Sequence, residues 1–394
     1  MFIRFLRVHC GPVFLVVLCV ACATTDFRPQ PVRTGDLVRD GWAAITNGPV
    51  EDRVLWQYRT GLELIRREQF GSAAGLFDDA LDLVGGRYGT DRSAKKSRGY
   101  FSDESTKTYI GEPYERSMAY YFRGLIYWQQ GEIDNARACF RSAQIEDSDA
   151  EGQEYAGDYV LMDYLDGLAS HRLNGSGWDA YQRATNSATL VIPERFEGVG
   201  NVLFFVDYGN APEKYAAGEY REKLKFRDGG SRAIEVIIRS GERAIHLGAM
   251  DDLSYQASTR GGRVMDHILA NQAVFKRTTE TLGDAALVSG LILAQNRKTQ
   301  EAGLGIAAVG LVSKMFSAAT TPRADTRAWD NLPKFLTFGS MRLPPGRHDI
   351  KVEFLNDRRE VIETLSQTFQ IDVNAASADT VIIVSQFNKK DPTL

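Results

Sequence analysis

The sequence predicts an α+β protein: N-terminal α-helical hairpins followed by an antiparallel β-sandwich-like domain that carries a helical insertion. Three observations point there. The spacing of small and aromatic residues in 61–80 recurs in 124–143. From about residue 195 the apolar period changes from helical to twofold. A chain of 394 residues exceeds one ordinary core, and 43% hydrophobic with 25% charged residues is the composition of globular domains.

The first segment carries an export pattern. Met1 to Arg7 holds two arginines and no acid, Val13 to Ala21 is apolar, and small residues lead into Cys22. The nine residues of that run are too few to span roughly 30 Å of hydrocarbon. Residues 1–21 are therefore expected to be a signal peptide. Cys19-Val20-Ala21-Cys22 resembles the lipobox at which bacterial lipoproteins are cleaved and acylated, with Cys19 standing where Leu is usual. The resemblance implies three acyl chains on Cys22, which anchor more firmly than one. With Ala23 next, rather than Asp, it implies the periplasmic face of the outer membrane. The alternative is an ordinary cleaved signal and a free periplasmic chain. Residues 22–44, with Pro29 and Pro31 and no apolar periodicity through Arg33, are expected to be a tether.

Cys10, Cys19 and Cys22 lie in the first segment and Cys139 stands alone, which excludes a disulfide framework and a cysteine zinc site in the mature chain. Loss of Arg4 and Arg7 would leave 45 of the 47 basic residues against 51 acidic ones, a charge of −6. Such a surface has no bulk attraction for nucleic acid.

Residues 45–190 read as helical. Gly61, Ala73, Phe77 and Ala80 share their offsets of 12, 4 and 3 with Gly124, Ala136, Phe140 and Ala143. The glycines admit a second helix at close range, the alanines are the matching small residues, and the phenylalanines fill the space between successive hairpins. This pattern resembles the tetratricopeptide repeat, a pair of antiparallel helices whose stacked copies form a curved binding surface. A degenerate third copy runs from Tyr164, Leu165 and Gly167 to Trp178, Ala180 and Ala184, across the turn Asn174 to Gly177. The polar insert Arg87 to Pro113 is either a solvated loop or a loop that contacts a partner or covers a cleft. Tyr58, Tyr120, Tyr121, Tyr127, Trp128 and Tyr164 are candidates to line the binding surface, with most of them expected in the core and two or three facing a partner.

In the second half, Val202, Phe204, Val206 and Tyr208 alternate as in a half-buried strand. Ala233 to Arg239 is a second strand. Ile350, Val352 and Phe354 form another, followed by Phe369, Ile371 and Val373, and by Val381 to Phe387; Pro344-Pro345-Gly346 is a turn. The domain spans 195–394, with a helical insertion at about 262–320. There, Arg263 to Lys276 reads as a helix. Ala285 to Leu293 and Gly303 to Phe316 read as two helices against the sheet, or as a peripheral contact with a membrane or partner. Gly303 to Ala308 matches G-x-G-x-x-A, but NRKTQEA before it is no buried strand, so a dinucleotide site is rejected.

The stretches YIGEPYERSMAYYFRGLIYWQQGEIDNARACFRSAQ, ADTRAWDNLP and LPPGRHDIKV resemble a bacterial lipoprotein family in which a tetratricopeptide-like N-terminal half precedes a β-rich C-terminal half. The resemblance spans most of residues 45–390. It implies an envelope location and no established activity.

No catalytic residue, metal site or cofactor is assigned. The five histidines are scattered, with no H-E-x-x-H, and neither a G-x-S-x-G elbow nor a P-loop is present. Cys139, beside Phe140, reads as a small buried side chain. Asp325, Arg327 and Trp329 form the most distinctive polar cluster, as an ion pair bracing a strand start or as a ligand contact. The expectation is therefore a non-enzymatic, membrane-tethered scaffold or assembly factor for envelope proteins or peptides. The alternative is a glycan- or peptidoglycan-binding module. A third, an enzyme built on dispersed carboxylates, needs a deep pocket with two of them 5 to 9.5 Å apart, as a rough requirement.

Overall fold

Helix boundaries in the computed structural model follow local chemistry. The structure describes residues 33–88, 108–148, 156–217, 223–260, 324–374 and 379–388. The expected signal peptide, Cys22, most of the polar insert and the whole helical insertion lie outside them. Asp36 opens α1 (Leu37–Asn47) by accepting hydrogen bonds from the amides of Val38 and Arg39. α1 thus falls within the stretch expected to be a tether, and its Gly41 lets it close on Thr60 of α2 (Arg53–Arg66). α3 (Phe70–Tyr88) packs on α2. Pro113 sits in the first turn of α4 (Pro113–Gln129), where a missing N–H costs nothing. Gly131, at φ +81°, turns the chain into α5 (Ile133–Ser148). α6 (Val160–Arg172) and α7 (Trp178–Ser187) form a third pair.

The C-terminal half is built of sheets. β1 (Val202–Tyr208) is central in a four-stranded sheet, parallel to β10 (Thr380–Ser385) and antiparallel to β7 (Phe335–Met341). The short β6 (Asp251–Asp252) completes its far edge and runs into α8 (Leu253–Arg260). A second sheet, fully antiparallel, has the order β5 (Arg243–Gly248), β4 (Glu235–Ser240), β8 (Gly346–Leu355), β9 (Gln367–Val373). A separate hairpin pairs β2 (Glu213–Ala217) with β3 (Lys223–Arg227). The molecule is therefore α+β, with helices in the N-terminal half and antiparallel-rich sheets in the C-terminal half.

The sequence reading of β1 as half-buried needs correction: all seven of its residues are buried. Val202, Phe204, Val206 and Tyr208 face the second sheet and join Val236, Ile238, Ile350, Val352 and Phe354. Leu203 and Phe205 face the other way, into one core with the helices. The apolar residues at both parities mark a strand covered on both sides. The first sheet is thus a middle layer, with helices on one face and a sheet on the other. Gly339 of β7 permits the sheets to approach, since a Cβ there would lie 2.4 Å from Leu247 of β5.

Candidate functional site

The repeated glycines meet the repeated rings. A Cβ on Gly61 would lie 3.0 Å from Phe77, and one on Gly124 would lie 2.7 Å from Phe140. Ala73, Ala80, Ala136 and Ala143 are buried around them. In the third pair the ring comes from Phe196, beyond α7, whose Cζ would lie 2.5 Å from a Cβ on Gly167. Phe196 thus supplies the ring that the third pair lacks, since Ala184 stands where the first two pairs carry phenylalanine.

The inner ends of the helices meet the middle sheet, and the aromatic residues there contact the chain itself. Trp128 lies 6.3 Å from Phe205 of β1, and Tyr164 lies 5.5 Å from Phe338 of β7, centroid to centroid. Tyr58 stacks on Trp329 at 4.7 Å. Tyr58, Trp128 and Trp329 are at most 1% exposed. They are core residues, which removes them from any surface a partner can touch. Tyr120 and Tyr127 are half-buried, and Arg123 stacks 3.5 Å over the Tyr127 ring.

Two of the stretches that carry the family resemblance meet at Glu115, which is fully buried on α4. Its Oε1 accepts the Trp329 amide (2.7 Å); its Oε2 accepts the Glu112 amide (2.7 Å) and the Lys214 ammonium of β2 (2.6 Å). Lys214 also donates to the Arg327 carbonyl at 3.0 Å. Both charges of this pair are withdrawn from water, and each is held by further hydrogen bonds, the condition under which a buried ion pair is tolerated. Burial first, and the charge of Glu115 second, push the Tyr109 and Tyr114 hydroxyls well above their ordinary range. Arg327 forks onto Asp325 (2.6 Å) and reaches Asp52 at 2.8 Å. Arg59 donates to the Ala328 carbonyl (2.7 Å), and Arg66 to that of Asn331 (2.8 Å). Asp325, Arg327 and Trp329 are thereby brought together as a clamp across α2 and α4. A cleft of about 500 Å³ opens beside the clamp, lined by Asp52, Trp56, Arg59, Glu213, Lys214 and Arg327.

The outer side of the helices carries an open trough of about 510 Å³ between α5, α6 and α7. Its centre is Asp166, buried, which receives Arg137 Nε at 2.9 Å and Arg183 Nη2 at 3.3 Å, with Arg141 Nε at 3.6 Å. Arg183 Nε also donates to Asp163 at 3.0 Å. Burial raises the Asp163 carboxyl and the Arg183 charge opposes that rise. Three guanidinium groups are held through Nε by buried carboxylates, while the Nη groups of Arg137 and Arg141 make no hydrogen bond among the described residues. Trp178, 45% exposed, stands at the rim, stacked on Tyr181 at 5.4 Å. Asp134 and Asp179 also line the trough, so its charge is mixed. Sequence reasoning did not single out this set. The clustering of Arg137, Arg141, Trp178 and Arg183 depends on how α5 and α7 flank α6.

Cys139 is buried, and burial pushes its thiol up to about 12. Among the described residues no helix is long and apolar enough to cross a membrane. No family model matches the chain, and neither does any curated protein or solved structure.

Proposed function

We propose that the chain is an envelope lipoprotein, tethered through lipid on Cys22 to the periplasmic face of the outer membrane. There it acts as an interaction scaffold or assembly factor for other envelope proteins. Its helix pairs are tetratricopeptide-like, a reading supported by the matched meetings of Gly61 with Phe77 and Gly124 with Phe140. Its two stacked four-stranded sheets are sandwich-like, supported by the core they share.

The outer trough is the observation that carries the interaction reading. The inner aromatic face, the usual place for a peptide in a repeat array, is filled by β1, β7 and Trp329 of the same chain. The trough presents arginines and a tryptophan on rigid helices, residue types that dominate binding energy at protein interfaces. Its mixed charge suits a protein segment with both acidic and apolar side chains rather than a polyanion.

The test uses the full chain with a C-terminal tag in a diderm bacterium, alongside Cys22→Ala and the double variant Trp178→Ala/Arg183→Glu. Membranes are fractionated, and mild crosslinking precedes affinity capture. The proposal expects Cys22→Ala to leave the membrane fraction. It expects the trough variant to stay there and lose a crosslinked envelope protein that the parent retains. Unchanged fractionation of Cys22→Ala removes the lipid anchor. An unchanged set of crosslinked proteins in the trough variant removes the trough as the contact surface.

A further inference from the structure

Sheet edges are templates for strand addition, and proteins commonly blunt them with charges, proline, bulges or brevity. Among the described residues, three of the four edges of the two four-stranded sheets are blunted. β6 has two residues, β5 carries Arg243 and His246, and β9 carries Asp372. β10 is different: TVIIVS holds no charge, proline or glycine over six residues. Its first four residues are half-buried rather than covered.

The direction of its backbone groups follows from the ladder. The Thr380 amide donates to the Asn201 carbonyl (2.8 Å) and the Gln386 amide to the Asp207 carbonyl (3.1 Å), both on the β1 side. In a parallel pair each residue turns both of its backbone groups to the same neighbour, alternately. Ile382 therefore faces β1, and Val381 and Ile383 turn their N–H and C=O outward. Neither has a hydrogen-bond partner on that side among the described residues. The outward carbonyl of Ser385 is taken by the Gln367 carboxamide at 2.6 Å, which closes one end of the edge.

An edge with two outward residues flanking one inward residue is complementary to itself. We infer that β10 pairs antiparallel with β10 of a second copy, about a twofold axis through Ile382. Val381 then exchanges both backbone hydrogen bonds with the partner's Ile383, and Ile383 with the partner's Val381. The axis stands perpendicular to the sheet, so the helix-facing sides of both middle sheets stay on one side, and the two sheets join into a continuous eight-stranded one. This is an isologous, closing contact. It is short, at the small end of protein interfaces, so association depends on concentration.

The pairing places Ile382 opposite its own copy as a non-hydrogen-bonded pair, with Cα atoms about 4.5 Å apart, within disulfide reach. In the full chain, with Cys10, Cys19, Cys22 and Cys139 replaced by alanine, Ile382→Cys should form a covalent dimer on mild oxidation. Val361→Cys, exposed in the turn that follows β8, should not. Sedimentation velocity across a concentration series should show monomer giving way to dimer. Ile383→Pro, which removes an outward N–H that β1 does not use, should weaken the dimer by about tenfold or more. Circular dichroism of that variant checks that the sheet survives; if it does not, the crosslink carries the test alone. A chain that stays monomeric at every concentration and gives no Ile382→Cys crosslink overturns the inference. So do equal crosslinking of both cysteine variants, a dimer indifferent to a folded Ile383→Pro, and a monomer that instead binds a synthetic Thr380–Ser385 peptide.

Discussion

A methyl group on Gly124 would have to share space with Phe140, whereas one on Gly75 of α3 would meet nothing within 4 Å. The two glycines thus answer opposite questions. Gly124→Ala should destabilise by about 1–3 kcal/mol through overpacking. Gly75→Ala should stabilise by about 0.5–1 kcal/mol, since an exposed helix interior favours alanine. Urea unfolding of both variants decides, and equal signs would refute the account. Glu115 is the other sensitive position. Glu115→Ala strands the Lys214 ammonium in a dry site and should cost about 3–5 kcal/mol. Lys214→Met in the same chain should recover part of that, read from the denaturation midpoint. The repeated positions themselves were legible because a repeat displays its own spacing, but that Gly61 and Gly124 meet Phe77 and Phe140 rather than the alanines was not. The Glu115–Lys214 pair was not, because its members stand 99 residues apart and nothing local marks Lys214 as buried.

Between elements, charge fixes the order of stacking. Asp78 follows Phe77 on α3 and takes a bidentate pair from Arg123, which precedes Gly124 on α4 (2.7 and 3.1 Å). At the next junction the signs invert: Arg141 follows Phe140 and faces Asp166, which precedes Gly167. α6 stacked on α3 would set Asp166 against Asp78, so the arrangement disfavours skipping a pair. Asp78→Arg should destabilise the fold, and Arg123→Asp in the same chain should restore about 1–2 kcal/mol in a double-mutant cycle.

Asp251 of β6 links the layers by accepting the Val160 and Leu161 amides at the start of α6 (2.9 and 2.8 Å). Burial raises its carboxyl to about 7, against the pull of those amides and with help from Asp158 and Asp147. A carboxyl whose folded pKa exceeds its unfolded value of 3.8 contributes stability below that value and loses it as pH rises through about 7. Wild type should therefore lose up to about 1.4 kcal/mol per pH unit across that window relative to Asp251→Asn. Urea titrations of both proteins at about pH 5 and about pH 8 check the difference. The elements themselves were partly legible. Alternation marks β1, β8 and β9, and apolar runs mark β4 and β10, but in β1 alternation alone implies burial on one side. Leu203 and Phe205 between the alternating residues carried the contrary signal.

For the whole molecule, the decisive feature is that the helices and the middle sheet share one core. The two halves should unfold in a single calorimetric transition. A fragment of residues 33–190 should expose Tyr121, Trp128 and Tyr164, bind a hydrophobic dye and self-associate. Two separate transitions, or a monomeric, dye-negative fragment, would contradict a shared core. Sequence could flag these aromatic residues as a contact surface but not what covers it. A face filled by the same chain and a face filled by another have the same composition.

Because β1 is covered on one side by helices made before it and on the other by strands made after it, its environment is completed late in synthesis. When residue 208 emerges, α2, α4 and α6 are already available to Leu203 and Phe205. Val202, Phe204, Val206 and Tyr208 must wait for β4 and β8, and the neighbouring strand β10 follows every other described strand. A growing chain therefore passes through a long interval with an apolar strand bare on one face and unpaired at its edge, the condition in which nascent proteins aggregate or engage chaperones. The order of the sequence makes β10 the strand that closes the open edge of β1.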